Sequence, residues 1–169
     1  MTPPRNLFLI GPMGAGKSAV GRQLARMLGL DFVDSDEEVE RRTGVDIPFI
    51  FEKEGEAGFR RREAAVIDEL TQRQGIVLAT GGGAILDPDS RSRLGARGFV
   101  IYLHASVEQQ LERTSKGRER PLLENRPRAK VLAELMEVRE PLYREIADLV
   151  VETDGRRVQA VAREIADAL

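Results

Sequence analysis

Gly11-Pro-Met-Gly-Ala-Gly16-Lys17-Ser18 has the spacing G-x-x-x-x-G-K-[ST], and each residue type in it has a separate task. Glycines let the backbone turn so that successive N–H groups face phosphate oxygens. A helix opening near Lys17 adds the positive end of its dipole. Lys17 has the length to reach the β and γ phosphates of a nucleotide, and the Ser18 hydroxyl suits Mg²⁺. With 16 glycines in 169 residues, chance would produce this pattern in about one chain in 400 of the same composition. The plain alternative is a glycine-rich turn carrying an exposed lysine, and an exposed lysine contributes little to stability. A phosphate cradle explains the whole pattern and is preferred.

A second constellation is Asp34-Ser35-Asp36, at the end of a predicted strand. Alternation along extended chain would put both carboxylates on one side. One would then stand near a metal and one near an acceptor hydroxyl. The competing reading makes Asp36 or Ser35 the N-cap of a helix starting at Glu37. Beside a phosphate loop, the chemical reading is favoured. Arg60 and Glu63 lie three apart on a predicted helix, so Glu63 can hold the guanidinium in place. Gly81-Gly82-Gly83 follows a third predicted strand, at the edge where ligands bind in parallel sheets. His104 ends a fourth strand and reads as a structural histidine.

The stretch Glu112–Arg128 holds six cations and three acids, and Thr114–Pro121 has no apolar residue. By composition it reads equally as a mobile lid, since long loops in compact folds are usually functional or disordered, and as a plain solvated connector. Of the 26 cations 22 are arginine, a skew that coding bias explains in total.

These residues need a scaffold that brings strand ends together. Short apolar runs at Leu7–Ile10, Phe32–Val33, Ile76–Ala79, Phe99–Leu103 and Leu149–Val151 alternate with helical patterns. Runs that are continuously apolar suit strands buried on both faces of a parallel sheet. Helical spacing marks Val20–Leu28, stopped by Gly29, and Glu37–Arg42, stopped by Gly44. Asp46 and Pro48 start another helix that runs to about Arg73. Val107–Leu111, Val131–Val138 and Val158–Leu169 mark three more.

Composition narrows the function classes. No cysteine and a single histidine exclude zinc ribbons, iron–sulfur clusters, thiol nucleophiles and multi-histidine metal sites. A net charge of −2 disfavours a general nucleic-acid binder. No run approaches 18 apolar residues, so no membrane span is expected. The apolar start Leu7–Ile10 is too short for a signal peptide, which makes the expectation cytoplasmic. There is no N-K-x-D base-reading motif of the GTPase kind, and motor ATPases are larger. A small kinase is the reading that remains.

The chain resembles the shikimate kinases, small members of the nucleoside-monophosphate-kinase-like P-loop group. The matching pieces are Gly11–Ser18, Phe32-Val-Asp-Ser-Asp36, Gly55-Glu-Ala-Gly-Phe-Arg60 with Glu63, Gly81–Gly83, Arg120-Pro-Leu-Leu123 and Arg139-Glu-Pro-Leu-Tyr143. The resemblance implies a three-layer α/β/α fold of P-loop kinase type, with a five-stranded parallel sheet. It implies one domain over 1–169, a substrate-binding helical region at about 34–62 and a mobile lid at about 112–125. It implies transfer of the ATP γ-phosphate to the 3-hydroxyl of shikimate, with Mg²⁺, in a cytoplasmic monomer that binds neither nucleic acid nor membrane.

The implied ATP site is Gly14, Ala15, Gly16, Lys17, Ser18, Ala19, Arg113, Arg120 and Arg156, with Arg113 and Arg156 against the adenine. Ser18 and Asp34 would serve the metal, Asp34 through water. Asp34, Asp36, Arg60, Gly81, Gly82, Gly83 and Arg139 would bind shikimate, the two arginines gripping its carboxylate. Asp36, Lys17 and Arg120 would carry catalysis. Ala19 departs from the common Thr and should weaken nucleotide binding modestly. Three alternatives are a gluconate-type or nucleoside-monophosphate kinase, a P-loop module that binds ATP without turnover, and a nucleic-acid binder using the Glu112–Arg128 cluster.

Overall fold

The computed structural model describes residues 5–114 and 127–169. Five parallel strands, β1 (Leu7–Ile10), β2 (Asp31–Asp34), β3 (Ile76–Ala79), β4 (Phe99–His104) and β5 (Leu149–Glu152), form one sheet in the order β2-β3-β1-β4-β5. All five expected strands are present. The helices are α1 (Lys17–Leu28), α2 (Ser35–Thr43), α3 (Ile47–Leu70), α4 (Pro88–Arg97), α5 (Val107–Thr114), α6 (Arg128–Ile146) and α7 (Val158–Ala168).

Side-chain alternation along the strands divides the core into two layers. Phe8, Ile10, Leu78, Val100 and Tyr102 face α2, α3, α4 and α6, where they meet Val39, Phe59, Ile67, Leu94 and Tyr143. Leu7, Leu9, Val77, Ile101 and Leu103 face the other way, onto Val20 and Leu24 of α1 and Val161 and Ile165 of α7. The central strands β1, β3 and β4 are covered on both sides and carry continuous apolar runs, whereas the edge strands β2 and β5 are only partly buried. The three-layer α/β/α expectation is met. Among the described residues no helix is long and apolar enough to cross a membrane.

Several boundaries differ from expectation, α6 most in length, since it runs on to Ile146 past Val138. α2 opens at Ser35 rather than Glu37, because Asp34 is its N-cap, with Oδ1 accepting from the N–H of Asp36 at 2.9 Å and of Glu37 at 3.2 Å. α3 stops at Leu70, short of Arg73. One helix, α4, has no periodic signal, because Leu94 is its one buried large apolar side chain. Its legible mark was Asp87-Pro88, a cap whose carboxylate accepts from the Ser90 N–H at 2.9 Å. Gly55 breaks α3 in the middle at φ 72° and ψ 178°, a conformation nearly reserved for glycine. The bend lets Phe51 of the first half pack on Phe59 of the second, ring centroids 5.1 Å apart.

Candidate active site

A cavity of about 340 Å³ lies at the C-terminal edge of the sheet. Its floor is the phosphate loop between β1 and α1. Gly11, Gly14 and Gly16 have φ of 146°, 83° and 90°, which side-chain-bearing residues rarely adopt. Gly14 also passes so close to α5 that a Cβ there would lie 2.9 Å from the Gln110 Cα. Gly16 is the N-cap of α1, so the helix dipole points into the cavity. Lys17 is not exposed as expected. Its residue is 9% accessible, and Nζ donates to the Gly11 and Pro12 carbonyls at 2.6 and 2.9 Å.

Ser18 Oγ donates to Asp34 Oδ2 at 2.5 Å, which joins the start of α1 to the end of β2. Asp34 and Asp36 both line the cavity, though not by strand alternation. Asp34 closes the strand and Asp36 lies in the first turn of α2, so the tight cap brings them to one wall. The segment does cap a helix, but the cap is Asp34 and not Asp36 or Ser35, both of which lie inside α2.

Arg60, Glu63 and Arg139 line the same cavity. Arg60 Nη1 donates to Glu63 Oε1 at 2.8 Å and its Nε to Glu56 Oε2 at 3.3 Å. Glu63 is 3% accessible, and its Oε2 has no hydrogen-bond partner among the described residues. Burial pushes the Glu63 carboxyl above its ordinary pKa, against the pull of Arg60 and Arg139. Arg139, from α6, is also 3% accessible. It has no carboxylate in ion-pair contact among the described residues, and the Tyr143 hydroxyl beside it favours its charged form. Burial lowers its pKa from the ordinary arginine value.

Gly81–Gly83 separates these groups, and here close approach explains the glycines. A Cβ on Gly81 would lie 2.7 Å from Asp36 Oδ1 and 2.8 Å from Glu63 Oε2. One on Gly82 would lie 3.3 Å from Arg139 Nη1, and one on Gly83 2.6 Å from the Arg60 Cζ.

Gly14, Gly16, Lys17, Ser18, Ala19, Asp34, Asp36, Arg60, Gly81, Gly82, Gly83, Arg113 and Arg139 all line this one cavity. Ala15 does not. Its side chain is buried in the α1 layer and its N–H donates to Pro12 O at 3.2 Å. Arg156 is not among the lining residues either. Its guanidinium donates to Glu152 O at 2.9 Å and pairs with Glu164 at 2.8 Å. Arg120 and residues 115–126 of the expected lid lie outside the described residues. His104 is satisfied by Glu152 at 2.6 Å.

The sequence reading missed an apolar wall of Ile47, Pro48, Phe51 and Phe59 beside the two arginines. Phe51 and Phe59 carry ordinary core signals. Only the bend at Gly55 puts them on a cavity.

A family model described as shikimate kinase matches residues 13–169. This chain belongs to the shikimate kinase family. It is 60% identical to the shikimate kinase of Halorhodospira halophila over 98% of this chain and 94% of that one. It is 56% identical to that of Pasteurella multocida, over 100% of this chain and 97% of the relative. Among solved structures, the shikimate kinase of Acinetobacter baumannii in complex with shikimate superposes with a TM-score of 0.95. The two share 51% identity, with coverage of 97% of this chain and 92% of that one. A gluconokinase from Sinorhizobium meliloti, 18% identical with a TM-score of 0.59, shares the fold alone. The shikimate kinase resemblance read from six short motifs is thereby confirmed over nearly the whole chain.

Proposed function

We propose that this member of the shikimate kinase family transfers the γ-phosphoryl group of ATP to the 3-hydroxyl of shikimate, giving 3-phosphoshikimate on the route to chorismate. The observation that carries this reading is Arg139. A buried guanidinium without a carboxylate partner is costly, and a ligand carboxylate in the adjoining cavity would neutralise it. The phosphate loop shares that cavity, so an anionic acceptor and a nucleotide would meet there.

The roles follow from chemistry and placement. Phosphoryl transfer passes through a loose transition state, so positioning and charge neutralisation do most of the work. Loop N–H groups, the α1 dipole and Lys17 receive the phosphates. Lys17 would exchange its two carbonyl partners for phosphate oxygens. Asp36 accepts from the 3-hydroxyl and holds it in line. Arg60 and Arg139 bind the carboxylate, and the unpartnered Oε2 of Glu63 offers an acceptor to a ring hydroxyl. Gly81–Gly83 lets the ring lie against backbone, and Phe51 and Phe59 cover its apolar edge. Arg113 reaches over the phosphate loop, where it would meet the nucleotide. Arg120 is proposed, on its motif, to face the transferring phosphoryl group.

The Ser18 hydroxyl and Asp34 carboxylate, 2.5 Å apart at a helix N-terminus, are hard oxygen donors of the kind Mg²⁺ takes. Among the described residues no cluster of three His, Asp or Glu gathers. A Mg²⁺ here would therefore rest on Ser18, on Asp34 through water, and on the nucleotide phosphates. When bound it would neutralise phosphate charge. The proposal takes the enzyme to act as a monomer. The same proposal places the enzyme in the cytoplasm, without nucleic-acid or membrane partners.

The test is a coupled assay of ADP release with shikimate, quinate, gluconate and nucleoside monophosphates as acceptors. Shikimate is expected to be the preferred acceptor by orders of magnitude in kcat/KM. Equal turnover of gluconate, or ATP binding without turnover of any acceptor, would overturn the reading.

A further inference from the structure

Tyr143 is fully buried and lies four residues after Arg139 on α6, so the two side chains share one helix face. Its hydroxyl donates to the Gly82 carbonyl at 2.6 Å. The Arg139 guanidinium lies at the same turn, Nη1 3.3 Å from where a Gly82 Cβ would stand, beside the Tyr143 oxygen. A carbonyl only accepts, and a phenol has one proton, so that proton is committed to Gly82 and the oxygen offers only lone pairs to the cation beside it. One oxygen thus links the glycine turn to the carboxylate-binding arginine.

The ring itself is held independently of that oxygen. It stacks on Tyr102, centroids 4.9 Å apart at 28°. Tyr102 in turn donates to Glu140, which also receives the Arg144 guanidinium. A phenylalanine would fill the same space without burying a hydroxyl, which is unfavourable unless bonded. Core packing thus accounts for the ring and leaves the oxygen unexplained.

We propose that Tyr143 is a positioning residue for the acid substrate, aiming Arg139 at the substrate carboxylate and holding Gly82 where the substrate ring lies. This rests on the function proposed above. Without the hydroxyl, Arg139 loses the lone pairs beside its guanidinium and Gly82 loses its tether, so the ligand must order both on binding. Arg139 meets the carboxylate equally in ground and transition states, so the loss falls on KM rather than kcat.

The test compares the wild type with Tyr143→Phe, using shikimate and its neutral carboxamide. For shikimate, KM should rise about tenfold, the scale of one hydrogen bond to a charged group. KM for ATP should stay within twofold, and kcat within threefold. For the carboxamide, wild type and variant should have the same KM within twofold, because the carboxylate that Arg139 serves is gone. A purely structural tyrosine predicts a lower melting temperature with no such split between substrates.

A second measurement needs no variant of Tyr143. The chain has only two tyrosines, so [ζ-¹³C]tyrosine labelling yields two resonances, assigned through Tyr102→Phe. The Tyr143 resonance should shift saturably with shikimate and not with the carboxamide. A resonance indifferent to saturating shikimate, or an unchanged shikimate KM in Y143F, would overturn the assignment while shikimate turnover stands. Absence of shikimate turnover by the wild type would instead remove the functional reading and this inference with it.

Discussion

In the proposed function Arg139 and Asp36 make different demands on the substrate, and single substitutions would separate them. A planar guanidinium gives a carboxylate two parallel hydrogen bonds, which an ammonium cannot reproduce. Arg139→Lys should raise KM for shikimate by an amount worth roughly 1.5–3 kcal/mol and leave KM for ATP nearly unchanged. Replacing the substrate carboxylate by an amide should hurt the wild type similarly and the variant much less. Simple addition of the two losses would mean that the groups do not touch. Melting temperature does not discriminate here, since Arg139 is buried and its loss disturbs the fold in any case. Asp36→Asn keeps the shape of the α2 first turn. Because the cap is Asp34 and not Asp36, stability should change little while kcat falls by about 10²-fold or more, the scale of acid–base assistance. A near-normal kcat in the folded variant would leave Asp36 no role at the hydroxyl.

At the scale of elements, two glycines test different things. Gly83 follows β3 with φ −100°, a conformation open to any residue, so alanine there adds no backbone strain. Its Cβ would fall on the Arg60 guanidinium. Gly83→Ala should therefore displace Arg60 and raise KM for shikimate several-fold, with ATP binding and melting temperature little changed. Gly55, at the bend of α3, has open space around a Cβ but φ 72° and ψ 178°. Gly55→Ala should cost about 1–3 kcal/mol in unfolding free energy from strain alone. Denaturant unfolding measures it, and no loss would show that the bend is not strained for alanine. If the bend straightens instead, Phe51 leaves the cavity wall and shikimate KM rises as well.

For the whole molecule, the acid limb of stability has a legible contributor. Glu38 on α2 receives Arg41 and, at 3.0 Å, Arg42, which also reaches Glu69 of α3 at 2.7 Å. The Arg41 hydrogen bond is the main cause that holds the Glu38 carboxyl down, from 4.5 to about 2, against the opposing effect of burial. A depressed carboxylate contributes stability that is present above the unfolded value and lost as pH falls through the folded one. The wild type should therefore be more stable than Glu38→Gln at neutral pH. The two curves should converge between about 4.5 and about 2 in denaturant unfolding across pH. Glu63 has the opposite sign. Burial raises its pKa, so its contribution is most favourable below 4.5 and declines as pH rises through the folded value. A difference between wild type and E38Q that persists unchanged below about pH 2 would remove Glu38 as the source.

Strands, most helices and the phosphate loop were legible in the sequence because their signals are local. A buried parallel strand must be apolar at every position, a helix face repeats at 3.6 residues, and a glycine–lysine cradle follows from backbone geometry over eight residues. α4 escaped because capping and one leucine define it, not periodicity. The pairing of Asp34 with Asp36 was foreseen for the wrong reason, since the turn into α2 rather than strand alternation brings them to one wall. What only the tertiary structure decided are contacts between distant segments. Arg60 and Arg139 arrive from α3 and α6 to flank glycines that follow β3. Phe51 becomes a cavity residue because Gly55 bends its helix. Lys17 is turned onto its own loop carbonyls, and Tyr143, a core aromatic by every local sign, carries an oxygen that donates to the Gly82 carbonyl after β3. Local spacing specifies an element through short-range sterics and hydrogen bonds. Which side chains meet at its edge depends on how the layers pack, and no short stretch of chain contains that information.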